Sequence, residues 1–584
     1  MRRALVLGLL ALGGPALAET PPAEPEEEES PPVAPEEEAP PAEPEEDLVE
    51  ALEARLEALE ERLAAERRRA ARERLESMPP DRFHFEVEGH YRTRGYLFSG
   101  MFDQDRPATY MEHRLRVRPI ASYRGLARLA MEIDALDNVV WGDNASLATT
   151  AVFAGDPSAT SVTGRTLPSV ALNRVWLEMD LPVGQLRVGR QPSHWGLGIL
   201  ANDGDGFEPR FGENRAGNTF DRVLFATRPL SIVDAIRGVE DREIPLIAGV
   251  GVDRLVTSPQ IRYYGYRCQP GIPETDDRYR PECDRSGDGV TDADHGFTDD
   301  RFTEDRRGHG WWTDPDQAVM EMVYVLLYQG EDLDLFGLEG DLTAGTYVVH
   351  RVQGETDSNI LILDGYLDAT IEGVIAQAEV VHIRGQTRAI TLPGAVGAGD
   401  DPLAKTADIW GYVLRGGYEQ PGWKVLVEHG HASGDDNVAD ARFTGRPLHE
   451  DYNVGLLLYQ EVLRRVTASV WTEAADGLWS QGGVYNSRYL FPTVHLTPLE
   501  NWELLAGLVL AWPHQADGAI IRETDAALLG WEVDVGLKHR WHEHLHFSLE
   551  VGYAQVTDRL PLSLAGLDPE GRFFTVQSRI GWLF

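Results

Sequence analysis

The chain has few cysteines and lacks an excess of basic residues. Among its 584 residues, 54 Lys and Arg stand against 95 Asp and Glu, which gives a formal net charge of −41. Phosphate binding needs a basic footprint, so this balance argues against nucleic acid as a partner. The two cysteines, Cys268 and Cys283, lie in one polar segment. In an exported chain this pair predicts a loop-closing disulfide, with two free thiols as the alternative.

Long hydrophobic runs are also missing. A transmembrane helix needs roughly 18 or more consecutive apolar residues, and the sequence has no such stretch. The chain begins with the basic residues Arg2 and Arg3, an apolar run from Ala4 to Leu12 and small residues up to Ala18. This order predicts a secretory signal peptide over residues 1–18, with no cysteine after the cleavage point to carry a lipid. We therefore expect export without a helical membrane anchor.

Two segments of different character follow the signal peptide. Residues 19–47 are almost entirely Pro, Glu and Ala, which predicts a disordered, self-repelling tether. Residues 48–78 predict a periplasmic helix, since apolar residues recur at alternating spacings of three and four, namely Val49, Leu52, Leu56, Leu59 and Leu63. It is expected either as a short coiled coil or as a solvated single helix. The coiled coil would self-associate, or bind a periplasmic partner, through residues 48–75.

From residue 82 to residue 584, apolar residues recur at every second position, in segments separated by Gly, Asp, Asn and Pro. One face of one segment carries Trp502, Leu504, Ala506, Leu508, Leu510 and Trp512. Ten residues at about 3.3 Å rise and a tilt near 40° place these two Trp rings roughly 25 Å apart, the height of the apolar band of a membrane barrel. The predicted fold class is therefore all-β, an antiparallel transmembrane β-barrel of about 18 strands, with a soluble sandwich as the alternative.

The last predicted strand resembles the terminal strand of bacterial outer-membrane barrels. Its apolar face ends on the aromatic residue Phe584. The resemblance implies that Phe584 is an assembly signal for the barrel insertion machinery. It also implies the outer membrane of a Gram-negative bacterium as the location and outer-membrane lipid as the surroundings.

Three stretches carry a second resemblance. They are Leu186–Gly198 with its Gly-Arg-Gln sequence, Asn214–Phe225 with its Phe-Asp-Arg-Val sequence, and Glu428–Asn437 with its Ala-Ser-Gly-Asp sequence. All three are similar to alginate-export-type barrels and related porins. The similarity implies a conduit for a polysaccharide or another anionic solute. The acidic tether, the helix and the cysteine-closed loop depart from that family's pattern.

Charged residues on the polar faces of the predicted strands are candidates for the pore lining. They are Arg92, Arg114, Arg116, Arg118, Arg174, Arg384, Arg415, Arg579, Glu132, Asp134 and Glu178. A cationic path would select anions, because rings of charge set selectivity. If positive and negative side chains alternate between neighbouring strands, they would instead form ion pairs with one another. The sequence therefore leaves two functions open: a channel for small solutes or anionic saccharides, and a structural barrel with a plugged lumen that serves a cell-envelope machine.

The longest insert, residues 266–315, is predicted to be an acidic extracellular loop closed by the disulfide. Asp284, Ser286, Asp288 and Asp292 have the oxygen-ligand spacing of an EF-hand calcium loop, with Gly289 at the sharp turn. His295 stands where that loop has its bidentate Glu. A Ca²⁺ site over residues 284–295 and a solvated surface loop are both expected alternatives. No other cofactor is required.

One catalytic-looking motif, His542–His546, satisfies the zinc-protease pattern H-E-x-x-H. That chemistry needs a helix, where the two His residues share a face. Here the motif starts an alternating segment, so it predicts a strand with His542, His544 and His546 on one face. We find no triad, phosphate-loop or dinucleotide motif, and the protein is predicted not to be an enzyme. The hypothesis that the protein is an outer-membrane hydrolase would rest on this His cluster alone.

Overall fold

The computed structural model describes residues 83–101, 107–141, 170–205, 210–214, 217–237, 244–257, 319–335, 337–354, 356–388, 404–437, 440–470, 480–516 and 521–584. All of these belong to the unit Pro80–Phe584. The predicted signal peptide, tether and helix lie outside the described residues. So do Cys268, Cys283 and the candidate calcium ligands, and all of these stay predictions.

The described residues form nineteen strands and a few short helices. The strands are β1 Phe83–Ser99, β2 Ala108–Tyr123, β3 Ala127–Val140, β4 Val170–Leu181, β5 Gly184–Ser193, β6 Asn218–Thr227, β7 Leu246–Thr257, β8 Met320–Leu335, β9 Leu338–Gln353, β10 Ser358–Ile371, β11 Val374–Thr387, β12 Lys405–Gln420, β13 Trp423–Ala432, β14 Arg442–Phe443, β15 Ser487–Leu499, β16 Trp502–Pro513, β17 Gly530–Trp541, β18 Leu545–Val556 and β19 Arg572–Leu583. The helices are α1 Pro229–Arg237, a π-helix Leu458–Leu463, α2 Arg464–Val470 and a 3₁₀ turn Leu562–Ala565.

Eighteen of these strands close into a barrel. Each pairs antiparallel with its neighbours in sequence, β13 pairs directly with β15, and β19 returns to pair with β1. The two-residue strand β14 stands outside the ring and pairs in parallel with the start of β12. The prediction of an antiparallel barrel of about 18 strands is confirmed.

The period-two pattern sets which residues face outward. In β16, Leu505, Gly507 and Val509 are buried inside, whereas Trp502 and Trp512 lie on the opposite, outward face, as predicted. Closure leaves no unpaired strand edge, and a closed barrel with an apolar outer face can stand in lipid. The barrel therefore has the architecture of an outer-membrane protein, and the outer membrane of a Gram-negative bacterium is the location that this fold indicates. Among the described residues, no helix is long and apolar enough to cross a membrane.

The two ends of the barrel differ in the length of their connections. At the end where β1 begins and β19 stops, most turns are short, as at residues 124–126, 372–373 and 500–501, and the β6–β7 connection carries helix α1. The opposite end carries longer connections, including residues 194–217 and 433–486. In outer-membrane barrels the short turns are periplasmic and the long loops extracellular. Phe584 closes the short-turn end, where its backbone exchanges hydrogen bonds of 2.9 and 3.0 Å with Gly89.

The described parts of two long connections fold into the lumen. In the β5–β6 connection, residues 194–217, Phe211 is fully buried. In the β13–β15 connection, residues 433–486, Leu457 and Val462 are fully buried. The backbone N–H groups of Leu456, Leu457 and Leu458, at the start of the π-helix, donate to the carboxylate of Glu532 on β17 at 2.6–2.7 Å. Loop residues and inward strand residues thus share one core inside the barrel.

The H-E-x-x-H motif is not helical. His542 and His544 lie in the turn between β17 and β18, and His542 has a left-handed φ of 56°. Only His546 belongs to strand β18. The predicted row of three His residues on one strand is therefore wrong, since the tight turn takes up the first three residues of the motif.

Candidate functional site

The lumen wall receives most of the predicted pore-lining residues. Residues on the inward face are Arg92, Arg114, Arg116, Arg118, Arg174, Arg415, Arg579, Glu132, Asp134 and Glu178. The prediction that Arg384 lines the pore is wrong. Arg384 is exposed on the outward face of β11, whereas Glu379, Val381 and Ile383 point inward. Apolar residues occupy both faces of this strand, so its sequence does not reveal the phase of the alternation.

One part of the charged lining is fully paired within the wall and a loop. Arg116 makes a two-pronged contact with Asp134, at 2.7 and 2.8 Å. Glu132 on β3 accepts from Arg118 at 2.7 Å and lies 3.1 Å from Arg174. This pairing matches the alternative in which opposite charges on neighbouring strands neutralise one another. Glu178 likewise lies 2.9 Å from Arg187.

Asp205, in the β5–β6 connection, joins this paired cluster. Its carboxylate contacts Arg118 and lies 3.6 Å from Arg116. Burial opposes ionisation of this carboxyl, but the two guanidinium groups outweigh burial and hold the pKa of Asp205 below its ordinary value. The ionised carboxylate of Asp205 thus anchors the loop to the wall.

A second group of arginines lies where β1 pairs with β2 and with β19. We call Arg92, Arg94, Arg114 and Arg579 the arginine site. Arg92 directly faces Arg114 across β1 and β2, and Arg94 directly faces Arg579 across β1 and β19. All four side chains are at most 5% exposed. Three of them share an anion from the β5–β6 connection, because Glu213 contacts Arg92 and lies 3.0 Å from Arg579 and 3.6 Å from Arg94.

Glu213 belongs to a short segment, residues 210–214, that we call the strap. At its other end Arg210 forms an ion pair with Glu428 of β13 and stacks on the ring of Phe491, 4.7 Å from its centroid. Between the two ends, Phe211 packs on Phe491 with ring centroids 6.1 Å apart. The strap therefore runs along the inner wall from β13 to β1.

Glu428 is the centre of the strap's first anchor. Besides Arg210, it accepts from Arg415 at 2.9 Å and from the hydroxyl of Tyr489 at 2.6 Å. Arg415 in turn donates to Tyr452 of the β13–β15 connection at 3.1 Å. Both in-folded connections thus meet at one buried carboxylate.

Sequence reasoning missed several of these residues. Arg94 has the same inward phase as Arg92, so the alternation could have revealed it. Arg210 and Glu213 lie in a connection without periodicity, which gives no orientation. Further buried carboxylates line other strands of the wall: Asp253, Glu321, Asp364, Glu379, Glu532, Asp534 and Glu550. Within the described ranges, no three His, Cys, Asp or Glu residues are placed to hold a metal ion.

His449 is expected to make the docking of the β13–β15 connection dependent on pH. It is fully buried, its backbone N–H donates to Ile199 at 2.8 Å, and burial lowers its pKa from 6.5 to about 4. The docked loop therefore holds neutral His449, whereas a released loop takes up a proton below pH 6.5. Docking should weaken as the pH falls from about 6.5 to 4, by up to tenfold per pH unit.

Limited proteolysis of the reconstituted barrel between pH 7 and pH 4 measures this release. His449→Asn is the control, because Asn can still accept the Asp451 N–H that His449 Nδ1 accepts at 3.1 Å, yet it does not titrate in this range. Cleavage of the loop should rise at low pH in the wild type and stay flat in the variant. An equal rise in both would assign the pH dependence to another group.

Comparison with known proteins gives weak structural similarity only. The chain is similar to Pseudomonas aeruginosa OccK5 (OpdH) at 9% identity and a TM-score of 0.41, covering 85% of this chain and 98% of that one. It is similar to Pseudomonas aeruginosa OpdK, solved with vanillate, at 10% identity and a TM-score of 0.42, covering 85% of this chain and 98% of that one. It is also similar to Acinetobacter baumannii OccAB1, at 9% identity and a TM-score of 0.42, covering 85% of this chain and 97% of that one.

No family model and no curated protein matches the chain. The structural matches do not support the alginate-export-type resemblance, which stays a prediction. At these identities and TM-scores they carry no argument about function, which is therefore argued from the barrel itself.

Proposed function

We propose that the barrel is an outer-membrane channel for small anionic solutes and that it catalyses no reaction. The observation that carries the proposal is the arginine site. Four guanidinium groups lie at mid-length of β1, β2 and β19, on the inward face of a closed barrel. A cationic cluster at that depth attracts anions into the lumen and opposes cations.

The strap and the β13–β15 connection favour a small solute over a polymer. Both lie inside the lumen and contribute side chains that are nearly inaccessible to solvent, Phe211 and Leu457, to one core with Phe491 of the wall. A polysaccharide chain needs a continuous wide lumen along its whole length. A compact anion needs only local displacement of the strap.

The same burial supports a second candidate function. A barrel whose lumen is filled in every state would act as an anchor in the outer membrane, with residues 19–78 contacting an envelope partner. This function predicts that deleting residues 19–78 abolishes activity in the cell without affecting insertion. The channel should tolerate that deletion.

Planar-bilayer recording of the purified protein across a KCl gradient tests the proposal. A channel gives discrete conductance steps, and the arginine site predicts a reversal potential on the anion-selective side. Changing Arg92, Arg94 and Arg114 together to Gln should shift the reversal potential towards cation selectivity, since buried carboxylates would then dominate the lumen. Silence of correctly inserted protein under all voltages would favour the anchor.

A further inference from the structure

The outward surface of the barrel carries an exposed arginine at its extracellular margin. Arg488 stands on the outward face of β15, directly opposite Trp512 of β16. Trp512 marks the end of the apolar band that lies away from the short turns. A charged side chain on the lipid face is costly at the bilayer midplane and costs little near the interface. Arg488 therefore lies at the depth of the outer-leaflet head groups.

Two histidines lie beside this arginine. His431 of β13 faces Arg488 directly in the strand register. His514, which follows β16, packs edge-on against His431, with ring centroids 4.7 Å apart. The positive charge of Arg488 acts on both imidazole rings. We call Arg488, His431 and His514 the rim site.

The backbone orients His514 as a hydrogen-bond donor. The N–H of Gly434 donates to its Nδ1 at 3.0 Å, so the proton of the neutral ring lies on Nε2. His431 is 7% exposed, and its Nδ1 has no hydrogen-bond partner among the described residues. The rim site therefore presents a guanidinium group, an imidazole N–H and a buried ring nitrogen with unused hydrogen-bonding capacity.

No carboxylate faces Arg488 from either neighbouring strand in the described residues. Its direct neighbours are His431 and Trp512, and the positions two residues further along β13 and β16 carry no acid either. Asp436, in the connection after β13, acts on His514 and is exposed. The position of Arg488 thus leaves its guanidinium group available to an anion from outside the chain.

Arg190 shows how the same surface treats another outward arginine. It is 42% exposed on β5, and Asp221 on the neighbouring strand accepts two hydrogen bonds from it, at 2.8 and 2.9 Å. The fork of Arg190 is therefore already occupied by a carboxylate of the barrel. Arg488 has a histidine and a tryptophan at the corresponding positions.

We infer that the rim site binds a phosphate group of an outer-leaflet lipid. A guanidinium group recognises phosphate through two parallel N–H groups, and Nε2 of His514 supplies a further donor. The rings of Trp512 and Tyr412 flank the site, and Tyr412 packs on His431 with centroids 5.2 Å apart. Such aromatic rings sit at the head-group level, where lipid phosphates are held. The bound lipid lies against the outer wall, so the inference holds for an open and for a filled lumen.

Native mass spectrometry of the purified protein in detergent, titrated with lipid A as the phosphorylated glycolipid, tests the site. Arg488→Gln should weaken binding about tenfold, which corresponds to ~1.4 kcal/mol, because an amide brings no charge and no fork. Arg190→Gln is the matched control and should bind lipid A like the wild type. Arg488→Lys keeps the charge without the fork and should fall between Arg488→Gln and the wild type.

Two further probes separate the phosphate group from its source. Lipid A stripped of its phosphates should bind the wild type no more tightly than lipid A binds Arg488→Gln. Equal binding of the two lipids, or equal binding of lipid A by the wild type and Arg488→Gln, would overturn the inference. Displacement of lipid A by equimolar inorganic phosphate would assign the site to a soluble anion and overturn the lipid as its occupant. Circular dichroism checks the fold of each variant, and Arg488→Lys decides the outcome if Arg488→Gln does not fold.

Discussion

Replacing Glu428 by Gln is expected to destabilise the barrel by about 3–5 kcal/mol, because the change leaves buried cations without their anion. Glu428 is fully buried and pairs with both Arg415 and Arg210. Gln keeps the shape of the side chain but brings no negative charge, so both guanidinium groups remain buried and uncompensated. Urea titration of the protein in lipid vesicles, followed by tryptophan fluorescence, measures the change in the free energy of unfolding.

Glu419→Gln is the matched control for this experiment. Glu419 also pairs with a cation, 2.6 Å from Lys424, but its side chain is half-exposed at the short turn between β12 and β13. Exposed ion pairs contribute about 0–1 kcal/mol, so this variant should unfold close to the wild type. Equal effects of the two substitutions would contradict the assignment of Glu428 as the centre of the strap's first anchor.

Gly89→Ala is expected to disrupt the pairing of β1 with β2 and, through Phe584, the β1–β19 seam. A Cβ atom on Gly89 would collide with the backbone oxygen of Arg116 and approach the ring of Phe584 to 2.9 Å. The backbone oxygen cannot move without breaking the strand pairing, so the overpacking cost of about 1–3 kcal/mol is a lower bound. Heating the inserted protein and following loss of β-sheet by circular dichroism should show a lower unfolding temperature.

Gly365→Ala is the control for Gly89→Ala, because it makes the same substitution at a strand position without close neighbours. Gly365 also lies on the outward face of a strand, but a Cβ atom there meets no atom within 4 Å. Ala should be neutral or slightly stabilising at this position, because Gly loses more conformational freedom on folding. A comparable loss of stability in both variants would show that the close approach of Arg116 and Phe584 is not what excludes a side chain at Gly89.

The sequence pattern predicts the barrel well because the wall depends on local alternation. Every second residue faces lipid, so the apolar phase of β16, from Trp502 to Trp512, is visible without the structure. The strand number follows from counting such segments. Alternation fails at β11, where the inward residues Val381 and Ile383 are apolar because in-folded connections cover them.

The interior is harder to predict because it depends on contacts between distant parts of the chain. Arg92 and Arg579 are recognisable as inward residues, but nothing in their strands indicates that Glu213 is their partner. Connections have no periodicity, and the direction of a side chain such as Arg210 follows from where the whole loop enters the lumen. The sequence alone therefore reveals a charged lining, but it does not reveal which loop residue contacts that lining.

Glu213 contacts both the first strand of the barrel, through Arg92, and the last strand, through Arg579. It therefore ties together the two strands that meet only when the cylinder closes. Glu213 thus couples the position of the strap to closure of the seam, and loss of its carboxylate is expected to weaken both.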